Sequence, residues 1–263
     1  MSAPARTLRA AGRVLVDNYS VLVALVAYEL LSRSGMVSPR LIPSLVVICE
    51  ELWRYTVNGD LPYHAGISLY RSFSGFLLAA VVGVAFGVAM ARSRWFDALF
   101  EPIFTFGYPI PKISLYPIFI FVFGLGTGSK VALVFLECLY PIAIHAAAGV
   151  RATDRVLIWA AQNMGASRWQ LFTRVMMPAA LPTLFTGLRI ALPVALIVTL
   201  LTEIIGESRG LGYFITFASA SFEYARAMAA FVVVAVIGFA LDRLVVVLRR
   251  RIVFWQKDAP TIA

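Results

Sequence analysis

The chain has 263 residues, 60% of them hydrophobic and only 14% charged, and its 23 basic and 14 acidic residues give a net charge of +9. Globular domains carry about 25% charged residues, so this composition excludes a single soluble core and places most of the chain in lipid. The basic residues stand at the ends of apolar runs, a pattern that is typical of membrane-protein loops and argues against a nucleic-acid partner.

The first predicted element is a basic tail followed by a retained membrane span. Residues 1–13 contain three arginines and no acid, and no small-residue cleavage site follows the apolar segment from about Val14 to Leu31. This absence favours a span over a signal peptide. We predict residues 1–35 as one unit, followed by an extracytoplasmic connection, 36–65, with an amphipathic stretch from about Leu45 to Tyr55.

Five further apolar segments follow in a predicted core that covers residues 66–252, before a cytoplasmic tail at 253–263. Each segment is near the ~20 residues that cross the hydrocarbon core of a bilayer. The predicted spans are about Leu69–Met90, Phe100–Phe123, Val131–Val150, Leu184–Ile205 and Ala227–Leu248. Together with the first segment they predict an all-α integral membrane protein of about six spans.

Prolines crowd the third span, with Pro109 and Pro111 near its centre. Broken helices persist in membranes where they are buried in protein or line a cavity. The prolines therefore indicate a segment that lines a pathway, and a bend required only for packing is the alternative.

The distribution of basic residues predicts the orientation of the spans. In a six-span arrangement the amino-terminal arginines, Arg92, the arginines of the 151–182 loop and Arg249–Arg251 all fall on one side. Loops rich in lysine and arginine face the cytoplasm. We therefore expect both termini and the 151–182 loop to be cytoplasmic.

The second span carries small residues at every fourth position. They are Gly75, Ala79, Gly83, Gly87 and Ala91. Small residues at this spacing let two helix backbones approach closely. The stripe predicts a close helix contact within the chain, with a contact between two copies as the alternative.

Ionisable residues inside the predicted spans are candidates for a transport pathway. Lys112 lies in the third span, Glu137 in the fourth and Glu203 near the outer end of the fifth. Charged groups at membrane depth usually face a partner or the bundle interior. For Lys112 and Glu137 we weigh a mutual ion pair against contact with a solute. Arg189 is interpreted as reaching the cytoplasmic interface.

The cytoplasmic stretch 153–182 predicts two short helices separated by a glycine. Asp154 or the threonine before it can cap the first helix, and Gly165 can close that helix in the left-handed conformation. Ser167 with a glutamine three residues later is a capping-box pattern for the second helix, which we expect to end at Pro178. A loop that only connects two spans needs no such defined structure, so the pattern predicts that a partner docks on it.

The sequence carries no recognisable motif for catalysis or nucleotide binding. It lacks a GxxxxGK[ST] phosphate loop, and the glycines at 124, 126 and 128 join two apolar spans instead of a strand and a helix. His145 has no second ligand at metal spacing and is interpreted as a satisfied helix histidine. We therefore expect no enzyme activity, cofactor or metal ion in this chain.

The 153–182 stretch resembles the EAA loop of ABC-importer permeases. That motif runs Glu-Ala-Ala, three residues, Gly, nine residues and Ile-x-Leu-Pro, and Ala160, Ala161, Gly165 and Pro178 keep its spacing. Trp159 stands where the motif has its glutamate. Further stretches are similar to the nitrate/sulfonate/taurine branch of that family: Ser68–Arg71, Pro109–Pro117, Phe123–Lys130, Gly165–Gln170, Gly187–Arg189 and Gly210–Tyr213.

The resemblance implies a type I ABC-importer permease fold in the bacterial inner membrane. In that family two permease copies form the pathway, two cytoplasmic ATPase subunits bind ATP and Mg²⁺, and an external binding protein delivers the solute. The residues implied to contact the ATPase are Trp159, Ala160, Ala161, Gly165, Ala166, Ser167 and Pro178. The candidate pathway residues are Pro109, Pro111, Lys112, Glu137 and Glu203.

The solute and the class of transporter leave alternatives open. The resemblance implies a small anion such as nitrate, a sulfonate or taurine, which Lys112 would suit as a point charge. Relatives for thiamine precursors or aromatic carboxylates are the alternative within the family. A secondary transporter or channel without ATP coupling is the alternative outside it, although no inverted repeat is visible in the sequence.

Overall fold

A computed structural model describes residues 19–255, so the predicted basic tail and residues 256–263 lie outside the described range. The described chain is helical and contains no strand. Its helices are α1 Tyr19–Arg33, α2 Leu45–Val57, α3 Asp60–Arg92, α4 Arg94–Gly107, α5 Tyr116–Phe123, α6 Thr127–Arg151, α7 Arg155–Asn163, α8 Arg168–Leu171, α9 Met177–Ile204, α10 Leu211–Ala220 and α11 Tyr224–Ile252. A 3-10 turn, Lys112–Leu115, precedes α5, and a π-helical turn, Phe172–Met176, joins α8 to α9.

Four helical segments in this range are long and apolar enough to cross a membrane. They are α3, α6, the continuous segment Arg168–Ile204 that includes α9, and α11. The pair Arg94–Gly107 and Lys112–Phe123 makes a fifth if it counts as one span. The predicted first span is described only from Tyr19, where α1 has 15 residues. The remaining predicted spans therefore correspond to helices of the structure.

The glycine stripe packs α3 against α6 within one chain. A Cβ atom at Gly75 would lie 2.6 Å from Val134, and one at Gly83 would lie 3.0 Å from Ile142. One at Gly87 would overlap the backbone of α6 near Ala143. The predicted contact within the chain is confirmed, because only glycine lets the two backbones come this close. Residue numbers increase in the same direction along both helices at these contacts, so α3 and α6 run parallel.

Parallel packing of α3 and α6 requires the intervening residues to return across the full length of the bundle. The return is made by α4 and α5, whose axes meet at 95° around the break that contains Pro109 and Pro111. The prediction of an interruption is confirmed, and α4 begins at Arg94, ahead of the predicted span start at about Phe100. Ser93 caps α4 by accepting a hydrogen bond from the Phe96 amide, which sets this earlier start.

The helices α9 and α11 complete the bundle and determine which chain ends lie together. Ser72 of α3 meets Thr199 of α9, and Ser68 meets Glu203, so α9 runs antiparallel to α3. The α11 helix is in turn antiparallel to α9. Arg92, Arg151, the 153–182 stretch and Arg249–Arg251 therefore lie at one end of the bundle, as the charge pattern predicts. We call this the basic end.

Two boundaries differ from the predicted ones at the opposite end. The α3 helix begins at Asp60 and not near Leu69, because Gly59, with a φ of 87°, turns the chain directly out of α2. The short helix α10 is missing from the predicted elements. Its ten residues are too few for a span, and it packs beside α11. The amphipathic stretch predicted near Leu45 is confirmed as α2.

Candidate coupling segment and buried charges

The stretch between α6 and α9 folds as a helical hairpin of α7 and α8, which we call the coupling segment. Asp154 caps α7 by accepting a hydrogen bond from a first-turn amide at 2.8 Å. The Gly165 and Ala166 amides donate back to the carbonyls of Gln162 and Ala161, at 2.9 and 3.0 Å, which is a Schellman motif. Gly165 has a φ of 79°, which glycine adopts without strain. The predicted cap and turn are confirmed.

The second helix starts as predicted but does not stop as predicted. Ser167 and Gln170 form both hydrogen bonds of a capping box, at 2.9 and 3.3 Å. The prediction that Pro178 ends the helix is wrong, because α8 continues through the π-helical turn into α9. A π turn shifts the hydrogen-bond register by one residue. Pro178 then lies in the first turn of α9, a position at which helices tolerate proline.

The coupling segment exposes large apolar side chains at the basic end of the bundle. Exposed fractions of 51% to 80% are found for Val156, Leu157, Trp159, Met164 and Trp169. Ala160, Gly165 and Ser167 are exposed, Ala166 and Pro178 are half-buried, and Ala161 is buried. Phe172 holds the segment to α3, with the Arg92 guanidinium 4.5 Å from its ring centroid. The hairpin is therefore anchored on one side and open on the other.

Lys112 lies at the break between α4 and α5, where its charge is satisfied by protein groups. Its ammonium donates to the carbonyls of Tyr108 and Ile110 at 3.1 and 3.3 Å and lies 4.3 Å from the Tyr140 ring centroid. Glu137 Oε2 is 3.9 Å from Lys112 Nζ and, among the described residues, has no hydrogen-bond partner. The contact is thus an ion pair without a hydrogen bond, and it ties the break to α6.

Glu203 lies in a buried ionic cluster at the end opposite the basic end. It is fully buried, and its carboxylate accepts hydrogen bonds from Ser68 at 2.7 Å, Arg71 at 2.9 Å and the Gly212 amide at 3.0 Å. Gly210 has a φ of 107° and leaves no room for a Cβ atom beside this carboxylate. All of these partners come from the protein, so the candidate pathway residue Glu203 is enclosed in this conformation.

Arg71 and Lys130 extend this cluster to a second carboxylate, Glu207. Arg71 lies 2.9 Å and Lys130 lies 2.8 Å from Glu207 Oε2. Burial raises the pKa of the Glu207 carboxyl, but the Lys130 hydrogen bond and the two cations hold that pKa below its usual value. Arg71, Lys130, Glu203 and Glu207 therefore form a closed set of two cations and two anions, which we call the four-charge cluster.

Sequence reasoning places only Glu203 of this cluster among the candidate site residues. Arg71, Lys130 and the glycines around 210 do occur in the stretches that resemble known permeases. Those stretches are far apart in sequence, and Arg71 and Glu203 are separated by 132 positions. Lys130 and Glu207 lie beside glycine-rich turns and Arg71 lies inside a span, and none of these positions reveals which charges pair.

Two further residues of the spans have partners in the structure. Arg189 forms hydrogen bonds to both carboxylate oxygens of Asp242 on α11, at 2.7 and 3.2 Å. The interpretation that Arg189 reaches the cytoplasmic interface stays a prediction, and the structure adds a carboxylate partner on the adjacent helix. His145 Nδ1 lies 2.8 Å from the Pro141 carbonyl, as expected for a satisfied helix histidine.

Comparison with known proteins decides the family. The family described as binding-protein-dependent transport system inner membrane component matches residues 79–254. The chain belongs to this family. It is therefore an inner-membrane permease of the ABC-importer type.

Curated relatives of this permease include sulfonate and riboflavin transport components. It is 31% identical to the taurine transport system permease protein TauC of Escherichia coli (strain K12), over 91% of this chain and 89% of that protein. It is 29% identical to a putative aliphatic sulfonates transport permease protein, SsuC, of Bacillus subtilis (strain 168), over 91% of this chain and 86% of that protein. The riboflavin transport system permease protein RibX of Chloroflexus aurantiacus is 32% identical over 82% of this chain and 81% of that protein.

Solved structures show the same fold at lower identity. An inward-facing conformation of the MetNI methionine ABC transporter matches with a TM-score of 0.61 and 18% identity, over 82% of the permease and 99% of that chain. An amino acid ABC transporter with histidines matches with a TM-score of 0.61 and 16% identity, over 76% of the permease and 97% of that chain. The all-α architecture is therefore that of ABC-importer permeases.

Proposed function

We propose that this permease passes a small anionic solute, of the sulfonate or taurine kind, into the cytoplasm in a complex driven by ATP. An external binding protein delivers the solute, and two copies of the permease enclose the pathway. Two cytoplasmic ATPase subunits, which bind ATP and Mg²⁺, dock on the coupling segments. The observation that carries this proposal is a fully capped hairpin with an open apolar face at the basic end of the bundle.

The geometry of the coupling segment supports docking on an ATPase. Capping at Asp154, Gly165 and Ser167, together with the contact of Phe172 to Arg92 of α3, gives the hairpin a defined shape. Exposed Trp159 and Met164 offer apolar area that the described chain does not cover. The continuous helix from Arg168 to Ile204 connects this surface to the far end of the bundle. A displacement of the docked hairpin would thus reach the four-charge cluster through one continuous helix.

The choice of solute rests on the relatives and on the charges near the break. Taurine and aliphatic sulfonates appear in the names of relatives that match most of the chain. We propose that the solute passes the break at Pro109 and Pro111, beside Lys112 and Glu137, with Glu203 exposed only in another conformation. A thiamine precursor or an aromatic carboxylate is the alternative solute, and the riboflavin relative shows that the family includes larger ones.

Substitution of Gly165 by aspartate tests the docking of the ATPase. Gly165→Asp places a charged side chain on the exposed turn at a φ of 79°, so we expect the ATPase subunit to be lost on co-purification with the permease. Gly59→Asp is a matched control, because Gly59 has a φ of 87°, has open space within 4 Å of the position that a Cβ atom would take, and lies at the opposite end. The control should retain the ATPase.

Three readouts separate the possible outcomes. The amount of permease in the membrane shows whether either variant fails to fold. Co-purification shows docking, and uptake of taurine by cells that also carry the binding protein shows transport. Retention of the ATPase by Gly165→Asp, or uptake that persists without any ATPase, would contradict the proposal and favour a secondary transporter or channel.

A further inference from the structure

A cavity of about 280 Å³ opens at the end of the bundle opposite the coupling segment. Its walls come from α2, from the 39–43 connection and from the start of α11, three parts of the chain that the predicted pathway does not use. The residues that matter for its chemistry are Arg40, Glu51, Arg54, Tyr55, Phe222 and Arg226. Three arginines and two glutamates line it, so the cavity carries an excess of positive charge.

Two of the three arginines, the half-exposed Arg54 and the more buried Arg226, lie against one aromatic ring. The Arg54 and Arg226 guanidinium carbons lie 4.8 and 4.7 Å from the Tyr55 ring centroid. Arg54 forms an ion pair with Glu51 on the same helix, and Arg226 forms one with Glu223 at the cap of its helix. The nitrogen–oxygen distance is 2.9 Å in both pairs. Two guanidinium groups held on one ring form a set of N–H donors, which suits the oxygens of a sulfonate or carboxylate.

Arg226 retains hydrogen-bonding capacity that the described chain does not use. Its single hydrogen bond there goes to Glu223, and its Nε atom is buried without an acceptor. A buried donor without an acceptor is unfavourable, and native structures rarely leave one. The buried Nε is closed to a ligand, and the guanidinium carbon lies 4.4 Å from the Phe214 ring centroid. The side chain as a whole is 19% exposed and lines the cavity, so an anion there would meet the other guanidinium N–H groups.

Backbone strain coincides with the cavity wall at Phe222. This residue follows α10 with a φ of 61°, in a Schellman motif where glycine is usual. A bulky residue in this conformation is strained, and such strain concentrates at ligand-binding positions. The Phe222 ring is 76% exposed and forms part of the wall, which a glycine could not provide.

The cavity and the exposed apolar residues of α2 lie on different sides of this helix. The exposed apolar residues Val46, Cys49 and Trp53 share one face of α2, beside an apolar groove against α11. At 100° per residue, Glu51 lies on the opposite face and Arg54 lies to the side, about 100° from Trp53. An exposed apolar face of an amphipathic helix is expected to contact lipid, and the side that lines the cavity is turned away from that face. A soluble ligand therefore fits the cavity better than a lipid headgroup does.

We propose that this cavity is a binding site for a small organic anion, whose sulfonate or carboxylate oxygens accept hydrogen bonds from Arg226 and Arg54. The cavity is below the ~300–1,000 Å³ of pockets for drug-sized ligands, so it fits a molecule of a few heavy atoms. The identification of this anion with the transported solute rests on the proposed function. Binding of the anion itself does not require the ATPase and can be measured on the permease alone.

The test is saturation-transfer NMR of methanesulfonate and taurine with permease in phosphatidylcholine nanodiscs. We expect both ligands to bind to the unaltered permease. Arg226→Gln and Arg226→Lys should each weaken binding by about tenfold or more, because lysine keeps a cation over the rings but lacks the planar fork of donors. Arg33→Gln is the matched control, since Arg33 is an exposed arginine paired with Glu29. It should bind like the unaltered protein.

The remaining arms distinguish the anion site from a structural arginine and from a lipid site. Phe222→Gly should raise the thermal stability by removing the strained φ but weaken methanesulfonate binding, which loss of folding cannot explain. Unchanged binding in Arg226→Lys would reduce Arg226 to a structural cation and overturn the proposal. Absence of binding to the unaltered permease would overturn it as well, as would complete loss of methanesulfonate binding when phosphatidylglycerol is added. If the unaltered permease binds no anion but still co-purifies with the ATPase, the cavity proposal is overturned and the proposed function is not.

Discussion

Individual charges inside the permease are arranged so that each has a nearby opposite charge. Glu203 is the clearest case, because its carboxylate is fully buried between Arg71, Ser68 and the Gly212 amide. Removal of one partner from a buried ion pair leaves an uncompensated charge, which costs about 3–5 kcal/mol. The four-charge cluster is therefore sensitive to single substitutions even though its net charge is zero.

We predict that Glu203→Ala lowers the free energy of unfolding by roughly 3 kcal/mol or more, because it leaves Arg71 buried beside a single carboxylate. Thermal unfolding in detergent, followed by intrinsic tryptophan fluorescence, measures the effect. Glu50→Ala is the control, since Glu50 is an exposed glutamate on α2, and it should leave the unfolding temperature unchanged. An equal stability for both variants would show that the cluster is not a stabilising unit.

Glycine spacing determines the contact between the helices α3 and α6. A Cβ atom at Gly87 would meet the Ala146 side chain at 2.7 Å and the Ala147 amide nitrogen at 2.9 Å. These atoms belong to a helix and cannot move aside without shifting the helix. The sequence pattern predicts the stripe because the repeat depends only on helical geometry. It does not identify α6 as the partner, since that depends on how the chain returns through α4 and α5.

We expect Gly87→Ala to destabilise the permease by about 1–3 kcal/mol, as overpacking in a close helix contact does. Gly66→Ala is the matched control on the same helix, where an added Cβ atom would have no neighbour within 4 Å. It should be neutral or stabilising by up to ~1 kcal/mol, because alanine favours the helix more than glycine does. Chemical denaturation in mixed micelles compares the stability of the two variants. Equal changes in stability would show that the glycines act through backbone flexibility and not through close packing.

The whole molecule has two chemically different ends. The coupling segment and Arg249–Arg251 mark the basic end, whereas the opposite end holds the four-charge cluster and the anion cavity. The positive-inside pattern predicts that the basic end faces the cytoplasm. The helices α3, α6, α9 and α11 run between these ends and are long and apolar enough to cross a membrane, so we expect the two ends to lie on different sides of it.

Cysteine labelling in spheroplasts tests this orientation. In a Cys49→Ser background, a membrane-impermeant maleimide should label Met36→Cys in intact spheroplasts and Met164→Cys only after permeabilisation. The two sites are matched, since Met36 is 83% and Met164 is 80% exposed, and the remaining Cys138 is buried. Labelling of Met164→Cys without permeabilisation would reverse the orientation and exclude docking of a cytoplasmic ATPase on the coupling segment.

The sequence by itself determined the features that depend on neighbours a few positions apart. Asp154, Gly165 and the Ser167 box are recognisable because a helix cap is formed within four residues. The membrane class and the basic end follow from composition and from charges at span ends. The local pattern fails at Pro178, where the π-helical turn, supported by contacts to other helices, carries the helix past the proline.

Only the tertiary structure decided which distant groups meet. The long-range features are the pairs Arg71–Glu203 and Arg189–Asp242, the 95° turn between α4 and α5, and the cavity at Arg226. Each joins parts of the chain that are dozens of residues apart or depends on such contacts. A charge in a sequence shows that a partner is required but not which one. The partner is selected by helix packing, because a buried charge is tolerated only where a second helix brings the opposite charge within reach.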